Sequence, residues 1–387
     1  MDSTAHAATT AESGDEIGML RDSAAGFVRA STDHKRLRKL RSTLPGYDAA
    51  LARQMAELGW FGILVPEQYS GLGLGFAAMA VVVQELGKGL LADPIVPVVV
   101  LAGQTLRRGE NEALKERQLN GLAGGSLIPC VAWQEGLGGL DASAIETRAD
   151  ATAEGVRLAG RKRFVAGAGG ATGFLVTAKS PHGYGIYWVE KDAPGLRLGF
   201  EWRADGTPSG VVELDGVLVP PANVLTAPSP QGLHGLECAI EQAAVMASAE
   251  MLGVMEAALQ MTLEYMRNRV QFGKPIGSFQ ALQHKAVDLY VQQELARAVL
   301  SEAVQALDGG ASGTECSMIA SRCKCRSSDA GTRITREAIQ LHGAIGFTDE
   351  YDVGLYLKRA LVLSGWLGNA SAHRHRFAAL SAQHAEV

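Results

Sequence analysis

GFLVTAKS (173–180) and YGIYWVE (184–190) are two short apolar runs parted by Pro181, His182 and Gly183. Outward from this pair, IPCVAW (128–133), TRADATA (147–153), GVRLAG (155–160) and GVVELDGVLVP (210–220) recur at intervals near ten residues, punctuated by Gly, Asp and Pro. Short runs at regular spacing predict an antiparallel β-domain. On its N-terminal side apolar residues repeat every three or four positions, through Leu51, Met55 and Leu58 and again through Met79, Val82 and Leu86. After Gly232 the helical period returns, with Leu252, Met255, Leu259, Leu263 and Met266 on one stripe and Leu295 and Val299 on another. The expected architecture is therefore an α+β multidomain chain: a mobile tail over 1–14, a helical domain over 15–125, a β-domain over 126–228 and a four-helix-bundle-like domain over 229–387. Helices, then strands, then helices are separate folding units, which argues against an alternating dinucleotide-binding sheet.

Composition narrows the function. A chain of 387 residues, 47% hydrophobic and 20% charged, is neither largely disordered nor a rod. Its formal charge of −5 removes nucleic acid as the default partner. The N-terminus has no basic n-region and no apolar h-region, so a cytoplasmic location is expected. The most apolar stretch, 89–103, is interrupted by Asp93, Pro94 and Pro97, which predicts no membrane span. The five cysteines include Cys323 and Cys325 around Lys324, without the second Cys or His pair that zinc needs; no metal and reduced thiols are expected.

Four segments then carry a resemblance: PEQYSGLGLG (66–75), LDGVLVPPANVL (214–225), RNRVQFGKPIGSFQALQ (267–283), and EAIQLHGAIGFTDEY (337–351) with YLKRA (356–360). The glycines of the first form a turn and not a phosphate loop, because no Lys-Ser/Thr follows. In order and separation these segments resemble the acyl-CoA dehydrogenase family over essentially the whole chain. The resemblance implies a homo- or heterotetramer with FAD between the β-domain and the C-terminal helices, its adenosine diphosphate half covered by a neighbouring subunit. It also implies α,β-desaturation of an acyl-CoA thioester, with an electron-transfer protein as acceptor. That chemistry needs a base, donors to the thioester carbonyl and a polarised flavin.

By the same resemblance Arg269, Phe272 and Gln280 match positions that reach the neighbour's FAD, and Gln340 and Gly343 match the stretch at its adenosine half. The flavin-ring and substrate positions depart from the family. In AWQEGLGGLD (132–141) Gln134 replaces a Thr, Gly136 a Pro and Leu140 a Ser, while Glu135 and Asp141 persist. Phe164 is expected to pack on the flavin ring, but Ala166 replaces the hydroxyl residue beside it. The segment that usually bears the catalytic Glu reads WLGNAS (366–371), with Gly368 at the Glu position. A minority of members carry the Glu on the helix before RVQFG, where an ungapped match gives Ala243.

Glu241 is the best remaining carboxylate, although two residues is about 200° of helix rotation and turns it away from the flavin. Glu250 reads as a helix-surface charge, and His373 and His375 as a solvated basic helix end. Three readings follow. The chain is an active FAD-dependent dehydrogenase, with bulky steroid-type thioesters among its substrates; or a catalytically silent subunit completing the FAD site of an active partner; or a flavin oxidase or monooxygenase on the same fold.

Overall fold

The computed structural model describes residues 3–137 and 139–385. Its first part is helical: α1 (Ser3–Ser31), α2 (His34–Leu40), α3 (Ala49–Glu57), α4 (Phe76–Lys88), α5 (Gly103–Arg107) and α6 (Glu112–Ala123). Strands follow as β1 (Pro129–Ala132), β2 (Arg148–Thr152), β3 (Gly155–Ala166), β4 (Gly173–Ser180), β5 (Gly183–Glu190), β6 (Leu196–Trp202), β7 (Pro208–Val219) and β8 (Val224–Ser229). The last part holds α7 (His234–Asn268), a hairpin of β9 (Val270–Gln271) and β10 (Lys274–Pro275), then α8 (Gln280–Asp308), α9 (Gly313–His342), α10 (Val353–Gly365) and α11 (Ala370–Ala385). Of the stretch 1–14 expected as a mobile tail, the described residues from Ser3 onward have helical backbone in α1; Ala5, Ala7, Ala8 and Ala11 are strong helix formers.

The eight-stranded sheet has the order β6-β7-β3-β2-β4-β5-β8, with β1 paired to β4. Its pairings are mainly antiparallel, as expected, with two parallel exceptions at β4 that the sequence did not announce. β1 runs parallel to β4, with Cys130 opposite Phe174, and β2 meets β4 parallel at Arg148 and Lys179. The long connection between β1 and β2 lets both strands enter beside β4 in one direction, which a tight hairpin would forbid. Sequence periodicity reports that strands exist and says nothing of their direction. β3 carries an irregularity between Lys162 and Val165 against β7, and Phe164 sits there at φ 57°. A positive φ is uncommon for an aromatic residue, and bulges of this kind re-aim side chains.

α7 is the axle of the C-terminal unit. It is long and apolar enough to cross a membrane by length and composition, but 94% of its most apolar window is buried inside the protein. It packs against α4, α8, α9 and α10. The crossing with α4 is so close that a Cβ on Gly253 would lie 2.0 Å from the Gln84 carbonyl oxygen. Glu250, on the same helix, is not a surface charge: it is 1% exposed and accepts from Arg359 Nε at 2.5 Å. The Arg359 guanidinium also reaches Asp93 (2.7 Å) and Asp205 (3.1 Å), so one buried cation of α10 ties together a turn after α4, the β6–β7 turn and α7. Removing one partner of such a node leaves uncompensated buried charge.

Candidate functional site

Two clefts lie at opposite ends of α7. The first, about 970 Å³, is walled by the 73–76 turn, residues 140–142, the start of α7, the α8–α9 connection and α11. Glu241 lines it, whereas Ala243 is fully buried in the core. The helix thus shows this cleft the face of Glu241 and turns Ala243 into the core. Packing of α7 against α9, with Arg376 of α11 reaching Glu241, sets that face, and local sequence does not report it. Glu241 is 5% exposed; its Oε1 accepts from Arg376 Nη2 and from Ser317 Oγ (3.2 Å), and its Oε2 has no partner among the described residues. Burial pushes this carboxyl above the usual glutamate range, against the pull of Arg376.

Beside this cleft stands the segment where the family's usual Glu would be. Gly368 has φ +91°, and a Cβ there would lie 2.8 Å from Leu140 Cδ2 and 2.9 Å from His373 Nε2. Two of the substituted positions are therefore in contact with each other. The segment is also stapled from beneath: Lys324 Nζ, fully buried, donates to the carbonyls of Leu363 (2.8 Å) and Gly368 (3.0 Å) and to Ser328 Oγ (3.1 Å). His373 is not a solvated helix end. It is 1% exposed, its Nε2 bonds the Leu367 carbonyl at 2.8 Å, and burial holds its pKa down at about 4. His375, on another face, is exposed.

The residues expected at the flavin ring, Gln134, Phe164 and Ala166, gather at and beside β3. Arg163 N donates to the Gln134 carbonyl at 2.8 Å, placing Gln134 next to the bulge that carries Phe164, and Gln134 Nε2 donates to the Gly139 carbonyl at 3.3 Å. The Arg163 guanidinium lies 4.7 Å from the centre of the Phe164 ring. Ala166 is buried opposite Ser209 of β7. Glu135 holds the loop in place: it accepts from Lys162 Nζ (2.6 Å), Thr147 Oγ1 (2.7 Å) and the Glu146 amide (2.7 Å). Burial lowers the Lys162 pKa to about 8 in spite of this pairing. Asp141 caps its own turn through the amide and hydroxyl of Ser143. Glu135 and Asp141 thus serve loop architecture.

The second cleft, about 540 Å³, brings together three of the expected cofactor residues, Arg269, Gln340 and Gly343. Gly343 has φ +65° and a Cβ there would meet nothing within 4 Å, so backbone is open to close approach. Arg269 has no carboxylate within ion-pair distance among the described residues, while its neighbour Lys285 is held by Glu337 at 3.0 Å. An unpaired guanidinium beside open backbone fits a diphosphate. Phe272 and Gln280 do not line this cleft: Phe272, on the β9–β10 hairpin, is 92% exposed, and Gln280 opens α8 in solvent. Sequence reasoning missed Arg376, Ser317, Lys324 and His342. Only the three-dimensional contacts mark them.

Family models describe the same three parts: an acyl-CoA dehydrogenase N-terminal domain over 14–126, a middle domain over 130–217 and a C-terminal domain over 231–380. The chain belongs to the acyl-CoA dehydrogenase family. It is an oxidoreductase of that kind, and the family is FAD-dependent. It is 30% identical to the probable acyl-CoA dehydrogenase YngJ of Bacillus subtilis, covering 83% of this chain and 87% of that one. Among solved structures it is similar to a variant of the Tcur3481-Tcur3483 steroid ACAD, with 31% identity, a TM-score of 0.86 and coverage of 97% and 99%. It also resembles the ChsE4-ChsE5 complex from Mycobacterium tuberculosis, with 26% identity, a TM-score of 0.86 and coverage of 95% and 97%.

Proposed function

We propose that this acyl-CoA dehydrogenase chain is the base-lacking subunit of a heteromeric enzyme, completing with its outer cleft the FAD site of an active partner. The carrying observation is Gly368, whose left-handed backbone and contacts with Leu140 and His373 leave no room for a carboxylate side chain. FAD, when bound, supplies the hydride acceptor for α,β-desaturation of an acyl-CoA. This chain's own residues hold and shield: Arg269 offers a guanidinium to the diphosphate, Gly343 allows backbone approach, and Gln340 offers an amide. The likeness to the Tcur3481-Tcur3483 steroid ACAD and the ChsE4-ChsE5 complex supports a two-chain assembly and bulky steroid-type thioesters as substrates.

A second reading, self-sufficient catalysis, is favoured by one observation: the buried Glu241, clamped on Oε1, keeps Oε2 free in the larger cleft. A carboxyl raised by burial is suited to take an α-proton. Flavin content and mass of the purified chain separate the two. One FAD per chain in a homo-oligomer bleached by acyl-CoA establishes the second reading. Little flavin alone, and one FAD per pair with a co-expressed relative, establishes the first; Arg269→Ala then weakens flavin retention by the pair about tenfold or more, the scale of a lost charge-assisted bond.

A further inference from the structure

His342 ends α9 with its ring between Tyr265 (centroids 4.5 Å apart) and Tyr351 (4.7 Å). Its Nδ1 lies 2.7 Å from the Ala338 carbonyl oxygen. A carbonyl only accepts, so Nδ1 carries the proton and Nε2 presents a lone pair. Burial lowers the pKa of the ring, which keeps it neutral in the physiological range. His342 is 2% exposed, lines this second, outer cleft with Arg269, Gln340 and Gly343, and its Nε2 has no partner among the described residues. Buried acceptors are ordinarily satisfied, and an orphan beside an unpaired guanidinium calls for a ligand that donates. Isoleucine and leucine side chains at 276, 282 and 345 add an apolar wall.

We propose that His342 Nε2 accepts a hydrogen bond from the adenosine half of the dinucleotide held at this face, through the adenine amino group or the ribose 2′-hydroxyl. The inference rests on the reading of the outer cleft as the partner's FAD site, and makes His342 a determinant of which dinucleotide that site takes.

The test titrates the flavin-free two-chain assembly with FAD, with its hypoxanthine analogue and with its 2′-deoxyadenosine analogue. Wild type is expected to bind FAD about tenfold tighter than whichever analogue lacks the donor, the cost of one unpaired buried acceptor. His342→Phe keeps the stacking and erases that preference; His342→Gln keeps an acceptor oxygen and retains part of it. Equal binding of all three dinucleotides by wild type overturns the inference without recourse to any variant. Weakened FAD binding by Arg269→Ala with none by His342→Phe overturns this inference alone. FAD binding untouched by either substitution overturns the reading of the cleft as well.

Discussion

The two ends of α7 are finished in opposite ways. At its N-terminal end most charged groups are turned inward and paired within the chain: Glu241 Oε1 takes Arg376 and Ser317, Lys324 takes main-chain carbonyls, and Leu140 and His373 close over Gly368, with Glu241 Oε2 and His373 Nδ1 left over among the described residues. At its C-terminal end Arg269 is without a carboxylate among the described residues, His342 Nε2 has no partner and Phe272 is 92% exposed. A protein satisfies polar groups that face its own interior and leaves open those that await something from outside. The contrast separates residues that serve this chain's fold from residues that serve an assembly.

The hardest blow to the contrast is Gly368→Glu. Left-handed backbone and overpacking against Leu140 together are expected to cost roughly 4 kcal/mol, read as a drop in the denaturant midpoint. Acyl-CoA should not bleach flavin in this variant. Strong turnover by the single mutant would mean the segment opens readily and the cleft was never closed. Adding Leu140→Ala should recover part of the lost stability, because Leu140 supplies the nearest side-chain contact, while the backbone strain persists.

A smaller effect comes from His373. Its folded pKa of about 4 lies below the ordinary 6.5, so the unfolded chain binds the extra proton between those values. Stability from this group is complete above pH 6.5 and drains away as pH falls toward 4. His373→Gln is expected to lose less stability than wild type over that window in parallel thermal melts. Equal slopes would show that the ring is not held neutral under the segment.

The smallest is Phe272→Ala. A side chain so exposed should change the stability of the isolated chain by less than about 0.5 kcal/mol. Sedimentation should nonetheless show weaker assembly with the partner. A large loss of stability in the isolated chain would place Phe272 in the fold and remove it from the open end.

Much of this molecule was readable from the residues. The change of period at Ile128 and again after Gly232 marks the helical, β and helical parts, and Arg269, Gln340 and Gly343, singled out from separate motifs, line one cleft. Phe272 and Gln280 belong to the same motif yet stand apart from that cleft, since a hairpin tip and a helix start point where the turn sends them. That Glu241 and not Ala243 lines the large cleft is not visible in the local sequence, because the facing side of a long helix depends on what packs against it. His373 and Glu250 read as surface charges because nothing in their local sequence announces Lys324 or Arg359.

Sequence alone determined the local quantities: helical or strand period, the glycine-rich turn, the motifs of the family, and the absence of a carboxylate at residue 368. These depend on neighbours a few positions apart, whose geometry the backbone dictates. Tertiary structure decided which side of α7 meets the large cleft, that β1 and β2 run parallel to β4, that Leu140 closes on Gly368, and that His342 holds an unpaired acceptor beside Arg269. Those contacts join residues far apart in the chain, and they exist only once helices and sheet have docked, when burial settles which polar groups are paired and which are left open.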